Sequence, residues 1–144
     1  MRLFLVVLAL GMSQFAMADG QAEINYRQGI MLSIGGHMKD IVSILKGGVH
    51  QQDLRFHAHA MADLAKIVPG VFPAGSGEGK TDALPAIWKK PDQFKQAVQK
   101  FVDAANGIAS AADSGSPAQI GPAIKALGDA CKNCHDDFRE EHHH

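Results

Sequence analysis

Near the C-terminus, Cys131-Lys132-Asn133-Cys134-His135 holds both cysteines of the chain and one of its eight histidines. Two thiols three positions apart, with an imidazole directly after, suit three chemistries. A structural zinc ion needs four ligands, commonly two cysteine pairs or one pair with two histidines at fixed spacing. There is no second cysteine pair, and His57 and His59, two apart, point to nearly opposite sides of a helix. A thioredoxin-like dithiol belongs at a strand-to-helix junction early in a βαβ pattern, whereas this motif closes a helical chain. A plain disulfide over so small a loop would remove little chain entropy. Covalent attachment of a c-type haem fits best. On a helix both thiols reach one edge of a flat macrocycle and can form thioethers with its vinyl groups, while His135 turns beneath it as the proximal iron ligand.

Such a motif needs rigid elements around it, and the apolar spacing supplies four. From about Ala22 to Lys46, the residues Arg27, Met31, Ile34, Met38, Ile41 or Val42, and Leu45 recur at three- and four-residue steps, until Gly47-Gly48 stops the pattern. A second helix is predicted from about Gln52 to Val68, with Leu54, Phe56, Met61, Leu64 and Ile67 available for burial. The stretch from Pro69 to Pro91 contains four prolines and four glycines, which exclude a continuous helix. Connections of this length are usually functional or wrap something; Phe72, Leu84, Ile87 and Trp88 are its apolar anchors. A third helix begins at Pro91-Asp92 and carries Phe94, Ala97, Val98, Phe101, Ala104, Ala105 and Ile108 on one face. Ser116-Pro117 caps a fourth, spanning about Ala118 to Glu140. Four helices, one long crossover and no convincing strand predict an all-α fold, an antiparallel four-helix bundle.

The 144 residues suit a single domain. Residues 1–18 read as a secretory signal peptide: Arg2, an apolar run from Leu3 to Leu10, and the small-x-small site Ala16-Met17-Ala18. That run is too short to span a membrane, so no stable membrane insertion is expected. The haem domain is then residues 19–141, exported to the periplasm, and His142 to His144 are a tag remnant. A formal net charge of −1 offers no basic patch for nucleic acid.

With the cysteine motif on the last helix of a bundle, the chain resembles the class II cytochromes c, which include cytochrome c′ and the low-spin cytochrome c-556. Tyr26-Arg27-Gln28-Gly29-Ile30-Met31 is similar to the family's first-helix signature, and Cys131 to Arg139 to its haem signature. The resemblance covers the whole mature region. It implies one haem c per chain, linked at Cys131 and Cys134, with His135 on the iron. It implies further that Arg27, with Gln28 beside it, meets a haem propionate, and that Arg139 lies over the proximal side of the ring. Met31 takes the position over the distal side of the iron. In cytochrome c′ the residue there covers the iron without binding it; in the c-556 group a methionine there binds. Gly35-Gly36 is expected to allow close approach of a neighbouring helix or of the ring.

We read Met31 as the sixth ligand, and the protein as a periplasmic electron carrier rather than an enzyme. The alternative is a five-coordinate protein binding nitric oxide or carbon monoxide. A peroxidase would need a polar distal acid–base histidine, and Met31 stands in its place. Among rival ligands, Met38 and Met61 read as core, and His37, His50, His57 and His59 as surface residues. The expected partners are periplasmic redox proteins, and the chain is a monomer or homodimer.

Overall fold

The structure, a computed structural model, describes residues 9–141, and side-chain surroundings from residue 20 onward. The first eight residues of the expected leader and the three terminal histidines lie outside the described residues. Five helices follow in order: α1 Ala9–Gly47, α2 Leu54–Ile67, the one-turn α3 Ala86–Lys89, α4 Pro91–Ser114 and α5 Pro117–Phe138. The four long ones are the four expected, and α3 is a short turn within the crossover.

Their boundaries follow from local chemistry. Proline opens α4 and α5, where the missing N–H costs nothing and the fixed φ suits a first helical turn. Gly115 closes α4 in the left-handed region at φ 64°, and only the two residues Gly115 and Ser116 separate α4 from α5. The α1–α2 connection turns through Gly48 at φ 65° and His50 at φ 48°.

Each helix buries one stripe. α1 contributes Ile24, Ile34, Ile41 and Ile44; α2 Leu54, Ala58, Met61 and Ala65; α4 Val98, Phe101, Ala105 and Ile108; α5 Ile120, Leu127, Ala130 and Phe138. Fully burying an isoleucine such as Ile41 is worth about 1.5–3 kcal/mol, so these stripes fix which faces meet. Phe56 and Ile67, expected to be available for burial, are exposed instead. Phe56 sits between Leu54 and Ala58, on the face that the α2 stripe turns away from the core.

The close seams run α1–α2, α2–α4 and α4–α5; α1 and α5 share no comparable seam among the described residues. The crossover between α2 and α4 passes beneath the end of the bundle where α1 is early, α2 ends, α4 begins and α5 ends. That end also carries the cysteine motif.

Candidate functional site

On α5 the two cysteines stand three residues apart, both free and half-buried. Cys131 packs against the core cluster that contains Leu127 and Ala130. Burial pushes both thiols above their ordinary pKa; Cys134 reaches about 11, with Cys131 and Asp137 adding to the rise. Both are therefore protonated at neutral pH. His135 is exposed as a residue, yet its ring is desolvated enough to lower its pKa. The charge of Arg139 adds to that effect and Asp136 opposes it. At pH 7 its imidazole is neutral, the form that offers a lone pair to a metal. On the outer face of the same helix, Lys125 pairs with Asp129 at 2.5 Å and Lys132 pairs with Asp136, each at i, i+4.

On α1, Met31 is half-buried and packs against the same core cluster as Cys131. Met38, further along the same stripe, reaches α5 itself: a β-carbon at Gly128 would lie 3.8 Å from the Met38 methyl. Met61 is fully buried in the bundle interior, which makes it core as expected. His50 and His59 are at the surface, whereas His37 and His57 are half-buried against each other.

The crossover is tied to both walls, and Arg27 is the main tie. Its guanidinium is 3% exposed and donates four hydrogen bonds into the loop: to the carbonyl of Val71 at 3.2 Å, to Ser76 Oγ at 2.9 Å, to the carbonyl of Ser76 at 3.0 Å and to Thr81 Oγ1 at 2.9 Å. It also lies 4.9 Å over the ring of Phe72. Burial holds its pKa below the ordinary arginine value, with Glu23 pulling it back up. Gln28 donates to the carbonyl of Lys80 at 3.0 Å. In this structure both residues are therefore spent on the loop. Sequence spacing carried no signal for this, because Arg27's partners lie 44 to 54 residues away.

From Phe72 the tie continues edge-to-face through Phe94 on α4, at 4.8 Å between ring centres, to Phe138 on α5, at 5.2 Å. Trp88 donates its indole N–H to the carbonyls of Phe72 and Pro73. Gly77 is required beside it, since a β-carbon there would fall 2.8 Å from the indole ring.

At the far wall, α5 ends at Phe138 rather than Glu140, which corrects the expected position of Arg139. Leu84 N–H donates to the carbonyl of Phe138 at 3.0 Å and Glu140 N–H to that of Asp82 at 2.8 Å, an isolated antiparallel bridge. The bridge draws Arg139 into extended backbone, φ −124° and ψ 141°, so it does not continue the helical face of His135. Its side chain reaches Asp82 at 3.7 Å, and its charge still acts on His135. Gly35 and Gly36 require a second correction. Both are exposed, and a β-carbon on either would meet nothing within 4 Å, so they bring no neighbouring helix close.

A sequence model of cytochrome C′ matches residues 22–139. The chain belongs to the cytochrome c′ family. It is 40% identical over 125 residues to cytochrome c′ of Pararhodospirillum photometricum, covering 85% of this chain and all of that protein. It is 34% identical to cytochrome c-556 of Agrobacterium tumefaciens (strain B2A), over 81% of this chain and 96% of that one. Among solved structures, cytochrome c prime from Shewanella frigidimarina superposes with a TM-score of 0.80 at 32% identity, over 85% of this chain and 97% of that one. The nitric oxide complex of a leucine-to-isoleucine variant of cytochrome c prime from Alcaligenes xylosoxidans gives 0.78 at 27% identity, with the same coverages.

Cytochrome c′ proteins carry haem c, and the donor set of this member suits that group. It offers two free, desolvated thiols on one helix, a neutral imidazole immediately after them, and a half-buried thioether on α1 packed against the same core cluster as Cys131. No described helix is long and apolar enough to cross a membrane.

Proposed function

We propose that this cytochrome c′ family member is a periplasmic electron carrier in which Cys131 and Cys134 hold the haem, His135 is the proximal ligand and Met31 the distal one. The haem supplies the Fe(III)/Fe(II) couple. The protein's own share is to place the donors and keep them still. The observation that supports this reading is Met31, half-buried on α1 one turn after the buried Arg27 and packed against the same core cluster as Cys131. A thioether held by packing on that wall gives a low-spin pair with His135 and keeps reorganisation small. The loop clamp of Arg27 and Gln28 fixes the α1 backbone on which Met31 stands. Export rests on the leader at residues 1–18; consistent with it, the family match begins at residue 22. The partners are periplasmic redox proteins that meet the exposed edge of the site through a small, transient contact.

A second reading is favoured by the comparisons, since one similar structure is a nitric oxide complex. In it Met31 only covers the distal side, leaving room for a small neutral gas. Optical spectra of the purified holoprotein, oxidised and reduced, separate the two. A far-red sulfur-to-iron band that disappears in Met31→Ala, with a change from low to high spin, supports ligation by Met31. A high-spin parent whose reduced spectrum shifts at once with nitric oxide overturns it in favour of the gas reading. Replacing His135 should abolish stable ligation under either.

A further inference from the structure

Outside the haem region, α1 and α2 bring together three groups that the electron carrier does not use. His37 Nδ1 and His57 Nδ1 face each other at 2.9 Å. Asp40, one turn after His37, places Oδ2 3.6 Å from His57 Nδ1. All three donor atoms lie within 4.8 Å of one another. We propose that His37, Asp40 and His57 form a binding site for one divalent transition-metal ion of the zinc class, joining α1 to α2.

The donor chemistry chooses the ion. Two imidazoles and one carboxylate suit zinc, copper or nickel, whereas magnesium and calcium require oxygen ligands throughout. Two nitrogen ligands at about 2.0–2.1 Å in tetrahedral geometry stand roughly 3.3 Å apart. The rings must therefore part by only a few tenths of an ångström, and the Asp40 oxygen is already 3.6 Å from His57 Nδ1. Three protein ligands leave the fourth position to water. The present contact between the two nitrogens needs one ring to donate and the other to accept, and an N–H on both would set donor against donor. A metal ion satisfies both lone pairs at once. Phe56 stands edge-on to both rings, 6.1 Å from His37 and 5.2 Å from His57 between centres, and covers one side of the cluster. Asp40 is exposed and free to swing towards the ion.

The test is zinc titration of the haem-loaded protein by calorimetry at pH 7.5. His142, His143 and His144 are replaced by alanine in every sample, because they would take the same ion. The expected result is one zinc ion per chain at micromolar affinity, with a raised Tm. His37→Ala and His57→Ala should each weaken binding roughly tenfold or more, and the exposed Asp40→Asn by a smaller factor. His59→Ala, on the same helix as His57, should leave binding unchanged. Absence of binding at about 100 µM zinc overturns the proposal. So does binding that survives both histidine substitutions. Zinc-edge X-ray absorption of the parent gives an answer that needs no variant: two imidazole nitrogens with oxygen in the first shell are expected, and any shell with fewer than two imidazoles overturns it.

Discussion

Arg27 shows how far one side chain can be committed by its neighbours. The resemblance to known cytochromes placed it against a haem propionate, and the fold buries it under the crossover with four hydrogen bonds to loop groups. Removing it strands the carbonyls of Val71 and Ser76 in a buried site, and each such loss costs about 1–3 kcal/mol. Arg27→Leu should therefore lower stability by about 3 kcal/mol or more in urea denaturation. Arg27→Lys should recover only part, because an ammonium cannot reproduce the planar fork. Gly77 is a second position where the local environment leaves no freedom. Gly77→Ala puts a methyl 2.8 Å from the Trp88 ring, so a loss of about 1–3 kcal/mol is expected by the same measurement, typical of an overpacked site. Neither constraint was legible beforehand. The arginine was identified by its place in a helical signature, but its partners come from a segment whose path no local spacing encodes.

At the scale of helices, legibility was much greater. Apolar steps of three and four located all four long helices to within a few residues at most ends, because each stripe answers directly to a buried face. The errors have separate causes, and one end lies far off, since α1 begins at Ala9 rather than about Ala22. α5 stops two residues early because the crossover pairs with its last residues. Phe56 was counted as core on hydrophobicity alone, although its place in the period faces outward. The pairing of His37 with His57 joins two helices whose register the sequence does not state. Between α2 and α4, Asp113 accepts from His59 at 2.9 Å and pairs with Arg55 at 2.6 Å. Hydrogen bonding to His59 is the largest cause that holds its carboxyl below the usual range, and the charges of Arg55 and His59 also contribute. A carboxyl depressed in the folded state stabilises the fold above its unfolded pKa, near 4, and that contribution is lost as the pH falls through the folded value. Asp113→Asn should therefore flatten the acid limb of a stability–pH profile below about pH 4. The effect should shrink in high salt, since the group is exposed.

In the whole molecule, the cysteine motif and the bundle were both readable from sequence, and the family comparison agrees with them. The closed end of the bundle was not. It is assembled from the stretch of α1 between Gln21 and Gln28, the crossover and the last turn of α5, segments that meet only after folding. A chain of contacts crosses it, from Arg27 over Phe72 to Phe94 and Phe138. Among the described residues, α1 is held to the end of α5 through this chain rather than through a direct α1–α5 seam.

That arrangement has a kinetic consequence. The α1–α2 and α4–α5 hairpins join sequence neighbours through short turns and can form early, whereas the Arg27 clamp must close a span of 44 to 54 residues. The clamp is expected to close after the folding barrier, and interactions absent from the transition state govern the rate of unfolding. The destabilisation from Arg27→Leu should therefore appear almost wholly as faster unfolding in stopped-flow experiments, with the folding rate nearly unchanged. The clamp acts as a latch on the lifetime of the folded protein.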